Sequence, residues 1–206
     1  MYNLIRPKKL YRYCEQKWAK RSLTQGQFRL RPASNYSTYT ADDARFDDEL
    51  RSGETISSRN ATITHIESGE TIRPTSNVTR SAQSFTDYFV ISFSNHWRDE
   101  LFDDFNGDAC FIVDDVHEFS RRLHTAISYK FRADWAGADA PVAYSQRHPL
   151  GVTFEKSMTY ALQAEHRFAW IPRHNLPPNT LEPYVVDCGT MIDIARVVNR
   201  EGFEIN

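Results

Sequence analysis

Cysteine is scarce in this chain of 206 residues: Cys14, Cys110 and Cys188 lie far apart, with no C-x-x-C pair. That argues against a disulfide framework and against a paired-cysteine zinc site. Each of the three sits in an apolar run, which predicts buried free thiols. Long hydrophobic runs are missing as well. No stretch approaches the ~18 uninterrupted apolar residues of a membrane helix, so no membrane partner is expected. The opening residues Met1–Lys9 lack the apolar core of a signal peptide, and the expectation is a soluble, cytoplasmic protein. Net charge is nearly absent at -2, which excludes a basic nucleic-acid coat over the whole chain. No internal repeat occurs, and neither does G-x-G-x-x-G, a P-loop, H-E-x-x-H or G-x-S-x-G. His117, His124, His148 and His174 form no metal spacing, and no metal is expected.

The length predicts one domain spanning 1–206. A hydrophobic share of 40% and an aromatic share of 13% supply a real core. Charge is unevenly spread. Residues 1–31 hold nine Lys or Arg against one acid, Glu15, while acids cluster at Asp42–Glu54 and Asp99–Glu118. Such asymmetry points to one face that attracts phosphates; solvated basic helix faces are the alternative.

Pattern reading places a strand at 9–14, with Leu10, Arg12 and Cys14 on one face and Tyr11 and Tyr13 on the other. A helix follows over 15–24, with Gly26 as its stop. Phe28–Arg31 reads as a strand ended by Pro32, with loop over Asn35–Ser37, and Asp42–Leu50 reads as a short acidic helix. Residues 53–83, rich in Ser, Thr, Asn and Gly, form an excursion with a hairpin turn at Ser68-Gly69. Asp87–Ser94 is the strongest strand. It is followed by a helix over His96–Asn106, a strand over Ala109–Val113 and an amphipathic helix over Asp115–Ile127. Strand pieces and loop fill 128–148. A helix over Phe154–Ala161, a strand ending Leu162–Ile171, a strand over Thr180–Asp187 and a closing helix over Thr190–Asn199 complete the chain. Many short strands interleaved with helices indicate an α+β fold.

Three strand motifs occur in order: Leu10-Tyr11-Arg12-Tyr13, Ser92-Phe93-Ser94 and Gln163-Ala164-Glu165. The series resembles the ADP-ribosyltransferases of the Arg–Ser–Glu class. Those enzymes carry Tyr-Arg on the first strand, Ser-x-Ser on a middle strand and Glu-x-Glu or Gln-x-Glu near the end. With Phe28–Pro32, Ser92–Trp97 and Tyr160–Arg167 included, the pattern is similar to an uncharacterised bacterial family expected to share that fold. The resemblance covers nearly the whole chain apart from residues 40–85. It implies a split mixed or antiparallel sheet with flanking helices, and NAD as co-substrate.

Breaking the nicotinamide–ribose bond creates an oxocarbenium-like ribose, which needs a carboxylate beside it; Glu165 is the candidate. An arginine fork matches pyrophosphate oxygens, a role for Arg12 supported by Arg29 or Arg31. Ser92 would fix the carboxylate or the nicotinamide ribose, and Ser94 would line the nicotinamide pocket. Tyr11, Tyr13, Phe93 and Tyr36 are available for ring stacking. Gln163, two residues before Glu165, would share its strand face and help to place the acceptor. Glutamine there disfavours a guanidinium acceptor, because a second carboxylate would help to deprotonate one. Ordinary ion pairs are the alternative roles for Arg12 and Glu165.

The reading is an NAD-consuming mono-ADP-ribosyltransferase, as a bacterial toxin or phage-defence effector, with RNA, single-stranded DNA or protein as acceptor. A toxin implies an antitoxin partner. A catalytically inactive nucleotide- or nucleic-acid-binding module of the same fold is the alternative. An RNA phosphotransferase on a similar sheet is a third class, and it would call for His/Arg clusters instead.

Overall fold

Residues 6–38 and 48–205 are described in a computed structural model of the chain. The first strand and helix fall as the pattern requires: β1 is Leu10–Cys14 and α1 is Gln16–Gln25. Gly26 ends α1 in the left-handed conformation (φ 64°), donating its N–H to the Arg21 carbonyl. A side chain there is excluded twice over, since a Cβ would lie 1.8 Å from the Gly189 carbonyl oxygen. β2 (Gln27–Pro32) then alternates Phe28 and Leu30 inward with Arg29 outward. Ala33–Thr38 continues as a 3₁₀ helix where plain loop is expected. The expected acidic helix at Asp42–Leu50 falls mostly outside the described residues; Glu49 and Leu50 form a buried turn.

The excursion is a double hairpin. β3 (Arg51–Ile56) pairs antiparallel with β6 (Val78–Gln83), and beyond them β4 (Ile63–Thr64) pairs with β5 (Thr71–Ile72). The remaining elements are β7 (Phe89–Ser94), α2 (Glu100–Asp104), β8 (Ala109–Val113), α3 (Val116–Phe131), β9 (Trp135–Pro141), β10 (Ala143–Tyr144), β11 (Glu155–Lys156), β12 (Glu165–Pro172), β13 (Tyr184–Asp187) and β14 (Ala195–Asn199). Asp115 caps α3, its side chain accepting from the Glu118 N–H at 3.0 Å.

Three expectations are overturned. Thr190–Asn199 holds no closing helix: its second half is β14, which pairs along the free edge of β8 from Ala195↔Val113 to Asn199↔Ala109. Helix at His96–Asn106 shrinks to the single short turn of α2. Phe154–Ala161 is broken into two 3₁₀ turns around β11, because Lys156 pairs with Tyr144 in a short parallel ladder.

Eight strands form one sheet in which every pairing is antiparallel, so the chain is mixed α and β around a large antiparallel sheet. The path runs β13-β2-β7-β1-β8-β14, with β12 and then β9 on the other edge of β7. This puts two strands on the same edge of β7. β2 takes Phe89 and Val90, and β1 takes Ser94. Between them, among the described residues, Ile91, Ser92 and Phe93 have no strand partner on that edge. The sheet is therefore split, and α1, which joins β1 to β2, packs chiefly on β8 and β14.

One face of the sheet packs on α1 and α3. Phe119 of α3 sits among the rings of Phe28, Phe93, Phe111 and Phe168, at 5.2–6.4 Å between centroids. The other face carries two smaller clusters. Val90, Ala140, Ala169, Tyr88 and Phe154 belong to one; Tyr13, Ile112, Val198, Leu101 and Phe102 belong to the other. Cys110 is buried, whereas Cys14 and Cys188 are only half-buried. No described helix is long and apolar enough to cross a membrane.

Candidate active site

The split opens into a cleft of about 1060 Å³. Its size is at the top of the ~300–1,000 Å³ range of small-molecule sites. Tyr11, Arg12, Tyr13, Arg29, Arg31, Ser92, Phe93, Ser94, Gln163 and Glu165 all line it. Strand register explains the meeting. On β12 and β7, Glu165 lies opposite Ser94 and Arg167 opposite Ser92, so these four share one face. Tyr11 lies opposite Ser94 from the β1 side, which brings Tyr11 and Tyr13 to that same face. Arg31, opposite Val90, joins them from β2.

Arg12 belongs to the reverse face of β1 and reaches the cleft through the gap. Its guanidinium lies 5.6 Å from the centroid of the Phe93 ring. Phe93 itself is buried, so it seats Arg12 from below. Tyr13 is also buried: its hydroxyl donates to the His96 carbonyl (3.3 Å) and accepts from the Arg98 N–H (2.7 Å). Tyr11 stacks edge-on against Trp97. The two tyrosines thus form a packed aromatic wall. Ser94 is committed to the turn that follows β7, donating to the His96 carbonyl at 2.8 Å and accepting from the His96 N–H at 3.2 Å.

Glu165 is the centre of a buried ion network. Its Oε1 accepts from Lys156 Nζ at 2.5 Å and its Oε2 from Arg167 Nη2 at 2.9 Å. Ser92 borders this carboxylate and helps to hold it ionised. Arg167, with no exposed side-chain surface, also pairs with Glu49 at 2.7 Å, and Lys156 approaches Glu49 at 3.7 Å. Two acids and two bases leave the quartet neutral, which is the condition for burying charge. Burial pushes the Glu165 carboxyl up, but the charges of Lys156 and Arg167 and the Ser92 hydroxyl outweigh it and hold the group at about 2. Glu165 is an anion throughout the neutral range.

Gln163 departs from the strand expectation. It ends a 3₁₀ helix, and Ala164 follows with φ 43°, so the strand starts only at Glu165. Gln163 and Glu165 are nonetheless joined, because Lys156 Nζ also donates to Gln163 Oε1 at 3.2 Å. The Glu165 N–H donates to the Tyr144 hydroxyl at 2.8 Å, and burial pushes that phenol up to about 12. Tyr36 borders the same charges. Burial and Glu49 raise its phenol, with Arg31 and Arg12 pulling the other way.

Sequence reasoning missed Lys156, Glu49 and Tyr144, whose roles arise from long-range pairing. It also passed over Trp18 and Arg21 of α1, which line the mouth of the cleft. Comparisons with protein-family models, with curated proteins and with solved structures found no match.

Proposed function

We propose that the chain is an NAD-dependent mono-ADP-ribosyltransferase of the Arg–Ser–Glu type. The observation that carries the reading is the entry of Arg12, Ser92 and Glu165, from three separate strands, into one cleft at the split of the sheet. That residues so far apart in the chain share one cleft supports the reading.

In this reading Arg12, supported by Arg31, holds the pyrophosphate by charge-assisted hydrogen bonds. Glu165 binds the nicotinamide-side ribose and opposes the positive charge that develops at its C1′. The glycosidic C–N bond breaks, nicotinamide leaves as a neutral base with the bonding pair, and the acceptor nucleophile forms the new bond to C1′ as it loses its proton to solvent. Ser92 fixes the Glu165 carboxylate, and Gln163 orients the acceptor. Lys156 occupies the carboxylate in the resting protein, so substrate entry must loosen that contact.

The same ion pair favours a second reading, a nucleotide-binding module of this fold without turnover. A Glu165 that never leaves Lys156 could not serve the ribose. Incubation with NAD labelled in its adenylate part, in the presence of protein and RNA extracts, separates the two. Label transfer that is lost in Arg12→Ala supports the transferase. Tight binding of NAD with neither transfer nor nicotinamide release supports the module. Absence of binding at millimolar NAD overturns both.

A further inference from the structure

Helix α1 carries an aromatic that its own fold does not use. Trp18 is 48% exposed. The other three tryptophans pack: Trp97 on Phe102, Trp135 on Phe89 and Phe131, Trp170 in the core. Trp18 stands at the mouth of the cleft with Arg21 and Arg29. Ala19 and Ser22 are the buried side of this helix, which turns Lys17, Trp18 and Arg21 outward together. Lys17 Nζ lies 5.3 Å and Arg21 Cζ 5.0 Å from the indole centroid. No acid occurs within Gln16–Gln25; the nearest, Glu15, accepts from the indole N–H at 3.2 Å and pairs with Lys17 at 2.6 Å. Across β2, Arg29 is exposed and lies beside the exposed Val185 of β13.

We infer that this rim is a binding site for a single-stranded nucleic acid. One base stacks on Trp18, displacing a cation from over the ring toward the flanking phosphates, which meet Arg21 and Arg29 on the way to Arg31 and Glu165. Charge complementarity selects the partner. Cations grouped around a half-exposed indole match a strand that offers a phosphate and an unstacked base in each repeat. An acidic peptide would use the cations and leave the ring idle, and a duplex hides its bases. Binding by the rim stands apart from the transferase reading; only the statement that the strand is the acceptor rests on it.

The test uses the full chain without NAD. Anisotropy of labelled oligouridylate and oligothymidylate of about 12 nucleotides is followed as salt is raised. Trp18→Ala should weaken binding about 5- to 150-fold, the scale for losing one base–aromatic stack, with Trp18→Phe retaining most of it. Arg21→Ala and Arg29→Ala should each flatten the dependence of log affinity on log salt by about 0.7. RNA held more tightly than DNA, or the reverse, supports the proposal and identifies the strand. The proposal is overturned if the wild-type chain binds neither oligonucleotide, if Trp18→Ala binds as well as wild type, or if polyglutamate displaces the strand equally from both proteins. Failure of NAD chemistry would leave these affinities untouched, so the two readings fall separately.

Discussion

Strand β12 carries two buried carboxylate clusters back to back. Glu165 and Arg167 face the cleft, while His166, between them, faces α3 and meets Asp139 of β9. The Asp139 knot is saturated. It accepts from Arg6 through both oxygens (2.8 and 2.9 Å), from Ser120 Oγ at 3.0 Å, and from Nε2 of His124 and of His166, each at 3.1 Å. Burial opposes ionisation there, but these donors hold the carboxyl far below the usual carboxylate range. The Glu165 cluster is also buried and charged, yet it lines an open cleft. Both bury a carboxylate among cations; only one leaves it within reach of a ligand. Ionisation and burial alone therefore do not tell the two clusters apart, whereas access does.

That contrast predicts different losses from similar changes. Asp139→Asn removes a buried charge, leaving the half-buried Arg6 without its counter-charge and taking one acceptor from the buried cluster of Ser120 and His166. It should cost ~3–5 kcal/mol of stability, read as a lower urea midpoint at unchanged slope. Glu165→Gln should instead lower nicotinamide release about 10²–10³-fold, the scale of one lost transition-state contact, with NAD affinity nearly unchanged by calorimetry. Lys156→Met should destabilise by about 1–3 kcal/mol, since it leaves buried acceptors on Glu165 and Gln163 without their donor.

Acid unfolding sharpens the comparison further. Glu165 lies near 2 in the fold against an ordinary 4.5. A lowered folded-state value favours the ionised form, so its contribution is complete above about 4.5 and is lost as pH falls toward 2. Glu165→Gln should flatten the stability curve in that window. For Asp139 the ordinary value is 3.8, so Asp139→Asn should flatten the curve only below that point. Ser120→Ala, which removes one of several donors to Asp139, should cost only about 1 kcal/mol.

Elements with one clear pattern were legible. β1 follows from alternation, β8 from a short continuous apolar run and α3 from a single apolar stripe. β14 was not, for a definite reason. Met191, Ile194, Ala195 and Val198 stand at i, i+3, i+4 and i+7, a helical stripe. The unpaired edge of β8 overrides it, drawing Ala195–Asn199 into the sheet. Arg12, Ser92 and Glu165 could be picked out because short motifs announce them. Glu49 could not: it meets Arg167 across 118 positions of sequence. Lys156 reaches Glu165 and Gln163 only through the turn at Ala164, which no spacing rule supplies. Trp18 was hidden for the opposite reason, because an aromatic at helical spacing reads as core until its exposure is seen.

The most direct test of the account is nicotinamide release from NAD by the wild-type protein, Glu165→Gln and Ser120→Ala, with NAD affinity measured alongside. The account predicts that wild type and Ser120→Ala turn over at the same rate, and that Glu165→Gln binds NAD but falls at least about 100-fold in rate. Equal rates in Glu165→Gln and wild type, or equal losses in the two variants, would contradict it.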